Sequence, residues 1–337
     1  MPSEQDADLS FVRRLFYVVA VGALVGAIWV LSDILLLLFG AVLFAVMLHA
    51  IAEPSHVWLG LGHRVAMLLS ATGMLALLAA AGFYFGPDLV AQMRNVASTL
   101  PEATNSIATS LGLGSMADLI KDGTAASAIG SLATRVIAWS TTIAGALGSF
   151  LLIVFGGIYL AVDPQLYRDG LIKLVPPAVQ SNVGATLDDA GRALRQWLKG
   201  QALAMLLVGV FTGLGLWLVG VPSAFALGVI AGLAEFVPII GPILAAIPAL
   251  LIASSQNLQT VALALAVLVV VQQVESNLIT PLIADRMVSI APAVGLFAIV
   301  AMGVLFGPLG LLLGFPLVVV IDVAVRRLYV RDTLGIR

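Results

Sequence analysis

Two stretches of 31 residues, Ser223–Ala253 and Ala291–Ile321, are almost wholly apolar, and each is interrupted by proline and glycine. A straight helix of that length runs about 46 Å, at about 1.5 Å per residue, against a hydrocarbon core of about 30 Å. Each stretch must therefore tilt steeply, break, or fold back. Pro238, Gly241, Pro242 and Pro248 lie inside the first, and Gly307, Pro308 and Pro316 inside the second. A break is the expected outcome, because proline removes a helical N–H and clashes with the preceding turn. The two patterns echo one another: Gly241-Pro242, five residues, then Pro248; Gly307-Pro308, seven residues, then Pro316.

The surrounding chain has the same character. From Gln201 to Val325 only Glu235, Glu275, Asp285, Arg286 and Asp322 are charged. Over all 337 residues, 61% are hydrophobic and 10% charged, and the mean hydropathy is +1.11. A soluble domain carries about 25% charged residues, so this chain cannot cover a water-facing surface. A soluble enzyme, a nucleic-acid binder and a disordered scaffold are excluded. Sixteen basic against eighteen acidic residues give a net charge of −2, with no basic footprint for a polyanion such as nucleic acid. The chain has no cysteine, hence no disulfide framework and no thiolate site. The expected fold class is all-α: a polytopic integral membrane protein with about eight membrane helices, including two broken or re-entrant helical hairpins.

The chain divides as follows. Residues 1–86 hold three spans. The first two, Leu15–Leu31 and Ile34–Ile51, are expected as a hairpin with a tight turn at Ser32-Asp33; a polar break around Glu53-Pro54 precedes the third, Val65–Phe85. Residues 87–135 have ordinary composition and are expected as a short helical region outside the bilayer. A span follows at 136–162. Residues 163–199 form an amphipathic interfacial region, with Val183, Leu187, Ala190, Leu194 and Trp197 on one side and Asp188, Asp189, Arg192, Arg195 and Lys199 on the other. Residues 200–325 carry the broken segments, and 326–337 form a tail. Lysine and arginine favour the cytoplasmic side. Arg13/Arg14, the five basic residues of 163–199 and Arg326, Arg327 and Arg331 therefore place both termini inside and 87–135 outside. This scheme closes only if each broken segment makes an even number of crossings, or if both make one; folding back as two half-helices satisfies it, the first entering from outside and the second from inside.

Within 200–325 several residues could carry chemistry. Glu235 stands amid apolar sequence, where an ionised carboxylate costs about 2.5–3.5 kcal/mol or more unless water, a cation or a partner compensates. It either faces an aqueous cavity, binding a proton, cation or polar solute, or caps the half-helix that starts after Pro238. Gln272, Gln273, Glu275, Ser276 and Asn277 gather amides and a carboxylate beside Pro281. Gln272, Glu275, Ser276 and Ile279 fall near one helical face. Such groups donate and accept without fixed positive charge, which suits a hydroxyl-rich or ionic solute; interhelical hydrogen bonding is the plainer alternative. The breaks near Pro238, Gly241 and Pro242, and near Gly307 and Pro308, are expected to expose backbone N–H and C=O groups, which a membrane tolerates only inside protein or against water. Paired interrupted segments are the best sequence pointer to a transporter site. His49, His56 and His63 read as interfacial, and Asp322 and Arg326 as an (i, i+4) pair. The Gly-xxx-Gly pairs at 22/26, 209/213, 228/232 and 310/314 permit close helix contact. No nucleotide-binding P-loop, H-E-x-x-H or G-x-S-x-G signature occurs; no enzyme activity, metal or cofactor is expected.

Four stretches carry a family resemblance: Arg195-Gln-Trp-Leu-Lys-Gly-Gln201; Ala231-Gly-Leu-Ala-Glu-Phe-Val-Pro-Ile-Ile-Gly-Pro242 with Ala246-Ile-Pro248; Gln273-Val-Glu-Ser-Asn-Leu-Ile-Thr-Pro281; and Phe306-Gly-Pro-Leu-Gly310 with Gly314-Phe-Pro316. In order and spacing they resemble the AI-2E transporter family, also described as PerM-like permeases. Ile239 is a departure, since an aromatic residue is more usual there. The resemblance implies a multi-pass protein of the bacterial inner membrane, exporting a small solute such as autoinducer-2 and assembling as a homo-oligomer such as a pentamer. It marks Glu235, Pro238, Gly241, Pro242, Glu275, Asn277 and Pro281 as transport-domain positions. Expected partners are a small polar solute or cation and the lipid bilayer. A secondary transporter is the leading expectation; a Na⁺(Li⁺)/H⁺ antiporter, or a passive pore or membrane scaffold, are the alternatives.

Overall fold

The computed structural model describes residues 31–60, 62, 65–76, 79–80, 83, 143–254, 256–279 and 290–331, together with scattered positions from 19 to 30. The region expected at 87–135 lies outside the described residues, as does Pro281. Every described element is helical: α1 (Ser32–Leu59), α2 (Val65–Ala76), α3 (Ile143–Val162), α4 (Pro164–Lys173), α5 (Gln180–Leu218), α6 (Ala224–Ala234), α7 (Ile240–Ser254), α8 (Leu258–Val274) and α9 (Pro292–Ala324). Among the described residues four helices are, by length and composition alone, long and apolar enough to cross a membrane, or five if α3 and α4 count as one bent span; one of the four is α9, which is bent back on itself at Gly307. The expected count of about eight is not reached within them. Large apolar side chains stand exposed along these helices, among them Leu152, Leu206, Trp217, Phe297 and Val304, as expected where lipid is the solvent.

Three sequence expectations change. No tight turn forms at Ser32-Asp33. Leu31 N–H donates to Ala27 at 2.9 Å and Leu35 N–H to Leu31 at 2.9 Å, so helical bonding carries through. The polar break at Glu53-Pro54 is likewise helical, and α1 ends only at Gly60, whose left-handed φ of 62° suits a glycine C-cap. The boundary at 199/200 falls inside α5, a single helix of 39 residues. At about 58 Å it exceeds the hydrocarbon thickness, and its charged first half must project beyond it.

The amphipathic region begins with a sharp corner. Asp163 accepts a hydrogen bond from Leu166 N–H and Pro164 occupies the first helical position, a standard helix start. α4 then leaves α3 at 89°. Arg168 clamps it to α5 through two 2.7 Å bonds to Asp188, and these bonds hold the Asp188 carboxyl below its ordinary range. Two turns and more further along α5, Glu53 of α1 meets Lys199 at 3.3 Å and Arg195 at 3.7 Å. α1, α2 and α3 share a core of Phe44, Leu48, Met67 and Val154. The α1–α3 contact depends on glycine: a Cβ on Gly157 would lie 2.9 Å from the Ala41 carbonyl oxygen.

Two helix–turn–helix hairpins pack along α5. In the first, α6 and α7 are antiparallel. Ala224 and Leu227 share a cluster with Ala249 and Ala253, and Ala231 shares one with Ala245. The turn is 235–239, and the arms are about 16 Å and 22 Å long, too short for either to cross a hydrocarbon core. α6 meets α5 backbone to backbone through Gly209, Gly213, Gly228 and Gly232; a Cβ on Gly228 would lie 2.6 Å from the Gly209 carbonyl oxygen. Two of the Gly-xxx-Gly pairs thus interlock, as their spacing allows.

The second hairpin is α9 itself. Gly307, with φ 63° and ψ −145°, leaves the helical region, in a combination open essentially to glycine alone. A Cβ on Gly303 would touch Leu311 at 3.0 Å, one on Gly314 would lie 3.1 Å from Ile299 Cα, and one on Gly295 would meet Phe315 at 2.9 Å. Residues eight apart in a straight helix are separated by about 12 Å, so these pairings require residues 308–324 to run back along 292–306.

The hairpins approach α5 from opposite ends. The first has its base beside Leu216 and Val221 and its turn beside Gln201, whose side chain donates to the Glu235 carbonyl. The second has its base beside Asp189, which pairs with Arg327, and its returning arm beside Trp197.

Candidate functional site

The first break is built from local turns. Phe236 N–H donates to Leu233 at 3.2 Å, Val237 to Ala234 at 3.0 Å and Gly241 to Val237 at 2.8 Å. Pro238 cannot donate, and the chain reverses over it: Ile240 N–H reaches the Pro238 carbonyl at 2.8 Å, with Ile239 between them at φ 72°. This is a γ-turn of the rarer, strained kind, and a β-branched residue at positive φ is an outlier. Gly241 is obligatory: its Cβ position coincides with the Ala234 carbonyl. Pro242 follows in the first turn of α7, where a missing N–H costs little. Most of the N–H groups expected to be open are therefore bonded within the turn, that of Ile239 excepted. The N–H groups of Glu235, Phe236, Val237, Ile240 and Gly241 are all bonded, and Gln201 takes the Glu235 carbonyl. The turn closes on itself because tight reversals supply their own acceptors.

What lacks a partner is the side chain. Glu235 is 3% exposed, and its Oε2 has no hydrogen-bond partner among the described residues. Gln201 is also buried and touches the Glu235 backbone rather than its carboxyl. Glu275 lies within Coulombic reach of Glu235. A carboxyl in this setting must be neutralised, by a proton or by a bound cation.

Glu275 begins a π-helical turn, Glu275–Ile279, that continues α8. Gln272 Nε2 donates to Glu275 Oε2 at 2.9 Å and Ser276 Oγ donates to the same oxygen at 3.1 Å. Gln272, Glu275 and Ser276 therefore converge, as their spacing indicates. Gln273 and Asn277 do not join them. They are exposed, and Asn277 Nδ2 donates to the Gln273 side chain at 2.8 Å and to its carbonyl at 2.9 Å, an (i, i+4) pair that satisfies itself. Gly307 and Pro308 form the turn of the second hairpin and bring no polar side chain to Glu235.

Two residues of the Arg195–Gln201 stretch that are not among the site candidates of the sequence, Trp197 on the amphipathic region and Gln201 at the start of the following apolar run, contact the first turn. Trp197, 3% exposed, sits edge-on to Phe236 of the first turn, with ring centroids 5.6 Å apart, and stacks on Phe315 of the second hairpin at 5.7 Å. Gln201, one helical turn later, holds the Glu235 carbonyl. A buried amide four residues after a tryptophan, where α5 turns apolar, was the available signal. Among the described residues no group of three or more His, Asp or Glu side chains could hold a metal ion, and His49 points its Nδ1 at the Ala45 carbonyl, 3.0 Å away.

Comparison with known proteins agrees with this architecture. The profile of the AI-2E family transporters matches residues 17–329. MT0215 of Mycobacterium tuberculosis, named as a candidate transport protein, is 28% identical over 327 residues, covering 92% of this chain and 88% of its own. The AI-2 transport protein TqsA of Escherichia coli is 23% identical over 304 residues, 85% of this chain and 84% of its own. YrrI of Bacillus subtilis, also named as a candidate transport protein, is 32% identical over 171 residues, 51% of this chain; the match spans about half of that relative, 48% of its length. An all-helical chain with apolar spans, two hairpins set against one long helix, and a profile match over nearly its whole length belongs to the AI-2E family of membrane transporters.

Proposed function

We propose that the chain is a secondary transporter that exports a small polar solute, of the kind TqsA's name specifies, by exposing the surroundings of Glu235 alternately to the two sides of a bacterial inner membrane. The observation that carries this is the buried Glu235 carboxyl without a partner, held at the turn of one hairpin where an oppositely directed hairpin meets it across Trp197. Arms too short to cross, entering from opposite ends of α5, are what two re-entrant segments of inverted direction would look like. Neutralising Glu235 removes the cost of keeping it dry, so cargo or proton binding can bias which hairpin opens. α1–α3 would form the frame of a homo-oligomer, with both termini cytoplasmic.

The experiment is counterflow of labelled autoinducer-2 in proteoliposomes of the full chain. Glu235→Gln should abolish counterflow, and Glu275→Gln should weaken it. Unchanged transport in both would remove these residues from the mechanism.

A second proposal, cation/proton antiport, draws on the same pair of carboxyls, because Glu235 with Glu275 nearby could take Na⁺ or Li⁺ in place of a proton. It requires an imposed pH gradient to collapse when Na⁺ is added, with no solute present. A gradient that persists at every pH tested rejects it.

A further inference from the structure

At the base of the second hairpin a cleft of about 430 Å³ opens between α5 and the end of α9 with the segment that follows it. Four guanidinium groups line it, those of Arg192, Arg326, Arg327 and Arg331, with two carboxylates, Asp189 and Asp322. Asp189 is engaged twice, by Arg192 and by Arg327, and Asp322 pairs with Arg326 at 2.7 Å. Among the described residues the cleft thus carries two positive charges in excess. Residues 325–331 wind as a π-helix, whose i→i+5 repeat brings Arg326 and Arg331 toward one side. No step in the proposed transport cycle uses this excess.

The surroundings identify the ligand. Ile321, Val325, Leu328 and Tyr329 are 50%, 47%, 38% and 56% exposed, beside the arginines in sequence and on the same helical end. A cationic cleft flanked by exposed apolar side chains, where an apolar hairpin ends, has the chemistry of a site that takes phosphate oxygens while acyl chains lie against its rim. Guanidinium forks suit phosphate better than a point charge does. We propose that this cleft binds the phosphate group of an anionic lipid, tying the base of the second hairpin to α5 through the headgroup.

The test uses the full chain purified in an uncharged detergent, titrated with phosphatidylglycerol or phosphatidylcholine in mixed micelles while the thermal midpoint is followed. Phosphatidylglycerol should raise the midpoint at a lower mole fraction than phosphatidylcholine. Each arginine removed should raise the half-saturating mole fraction about fivefold, and Arg192→Gln with Arg331→Gln together about 25-fold. Arg168→Gln, a guanidinium outside the cleft, should leave it unchanged. If the double variant's lipid-free midpoint collapses, Arg331→Gln alone decides, with about a fivefold shift expected. Equal response to the two lipids, or a wild-type response from the cleft variants, overturns the site. If millimolar inorganic phosphate, at matched ionic strength, raises the midpoint by itself and displaces the lipid effect, the lipid assignment is overturned in favour of a soluble phosphate.

Discussion

The contact between α5 and α6 makes a sharp prediction, because two glycines of the same pattern should respond differently: one substitution destabilises and the other does not. A Cβ on Gly228 would lie 2.6 Å from Gly209 O, 2.7 Å from Gly213 Cα and 2.8 Å from Gly213 N, all backbone atoms, whereas ordinary contact begins near 3.4 Å. Nothing there can rotate away, so Gly228→Ala must part the helices by about 0.8 Å at that point. A gap of this size forfeits about a quarter to a half of each dispersion well, itself about 0.1–0.2 kcal/mol per atom pair. Over the few tens of pairs that a close helix contact comprises, the cost is about 1–3 kcal/mol, the range for overpacking. Gly213→Ala differs: its Cβ would find Phe225 at 3.6 Å and the Ala224 carbonyl at 3.7 Å, which is ordinary contact. Alanine also favours the helix over glycine by up to about 1 kcal/mol. Gly213→Ala should therefore be neutral or stabilising. Tryptophan fluorescence during thermal unfolding in detergent reads both. Equal stability of the two variants would show that the helices are not in backbone contact at Gly228.

Three further outcomes are expected. Gly307→Ala should destabilise by about 1–3 kcal/mol through backbone strain alone, since nothing lies within 4 Å of its Cβ position; the same thermal scan checks it. Trp197→Ala, which removes the ring between Phe236 and Phe315, should cost about 3–5 kcal/mol, and Trp197→Phe should recover most of it in the same measurement. The Arg168–Asp188 clamp should contribute below about 1 kcal/mol, because both side chains are more than a third exposed. Since the pair depresses the Asp188 carboxyl, its contribution is present above the ordinary carboxylate range and disappears as pH falls through the lowered value; Asp188→Asn should remove that acid-side loss from a stability–pH profile.

Much of this molecule is legible in one dimension. Apolar runs with five charges between Gln201 and Val325 dictate helices in lipid, because only a helix satisfies its own backbone there. Proline and glycine at 238–242 and 307–308 dictate where those helices stop, since the restriction is local to the residue. The glycine pairs at 209/213 and 228/232 announce a close contact, and Gln272 with Glu275 and Ser276 announces a polar cluster, because both rest on helical periodicity alone. Tertiary structure decided the rest. The turns at Ser32-Asp33 and Glu53-Pro54 became helix, because a short polar dipeptide marks a turn only if neighbouring helices leave room to reverse. The junction at 199/200 vanished into α5, since a change of surface chemistry along a helix need not interrupt its hydrogen bonds. Trp197 acquired its role only when two hairpins, remote in sequence, both packed against it, and Gln201 only when the turn of the first reached it. Whether Glu235 finds a partner depends on which groups three separate helices bring within reach, and no spacing along a single strand of sequence encodes that.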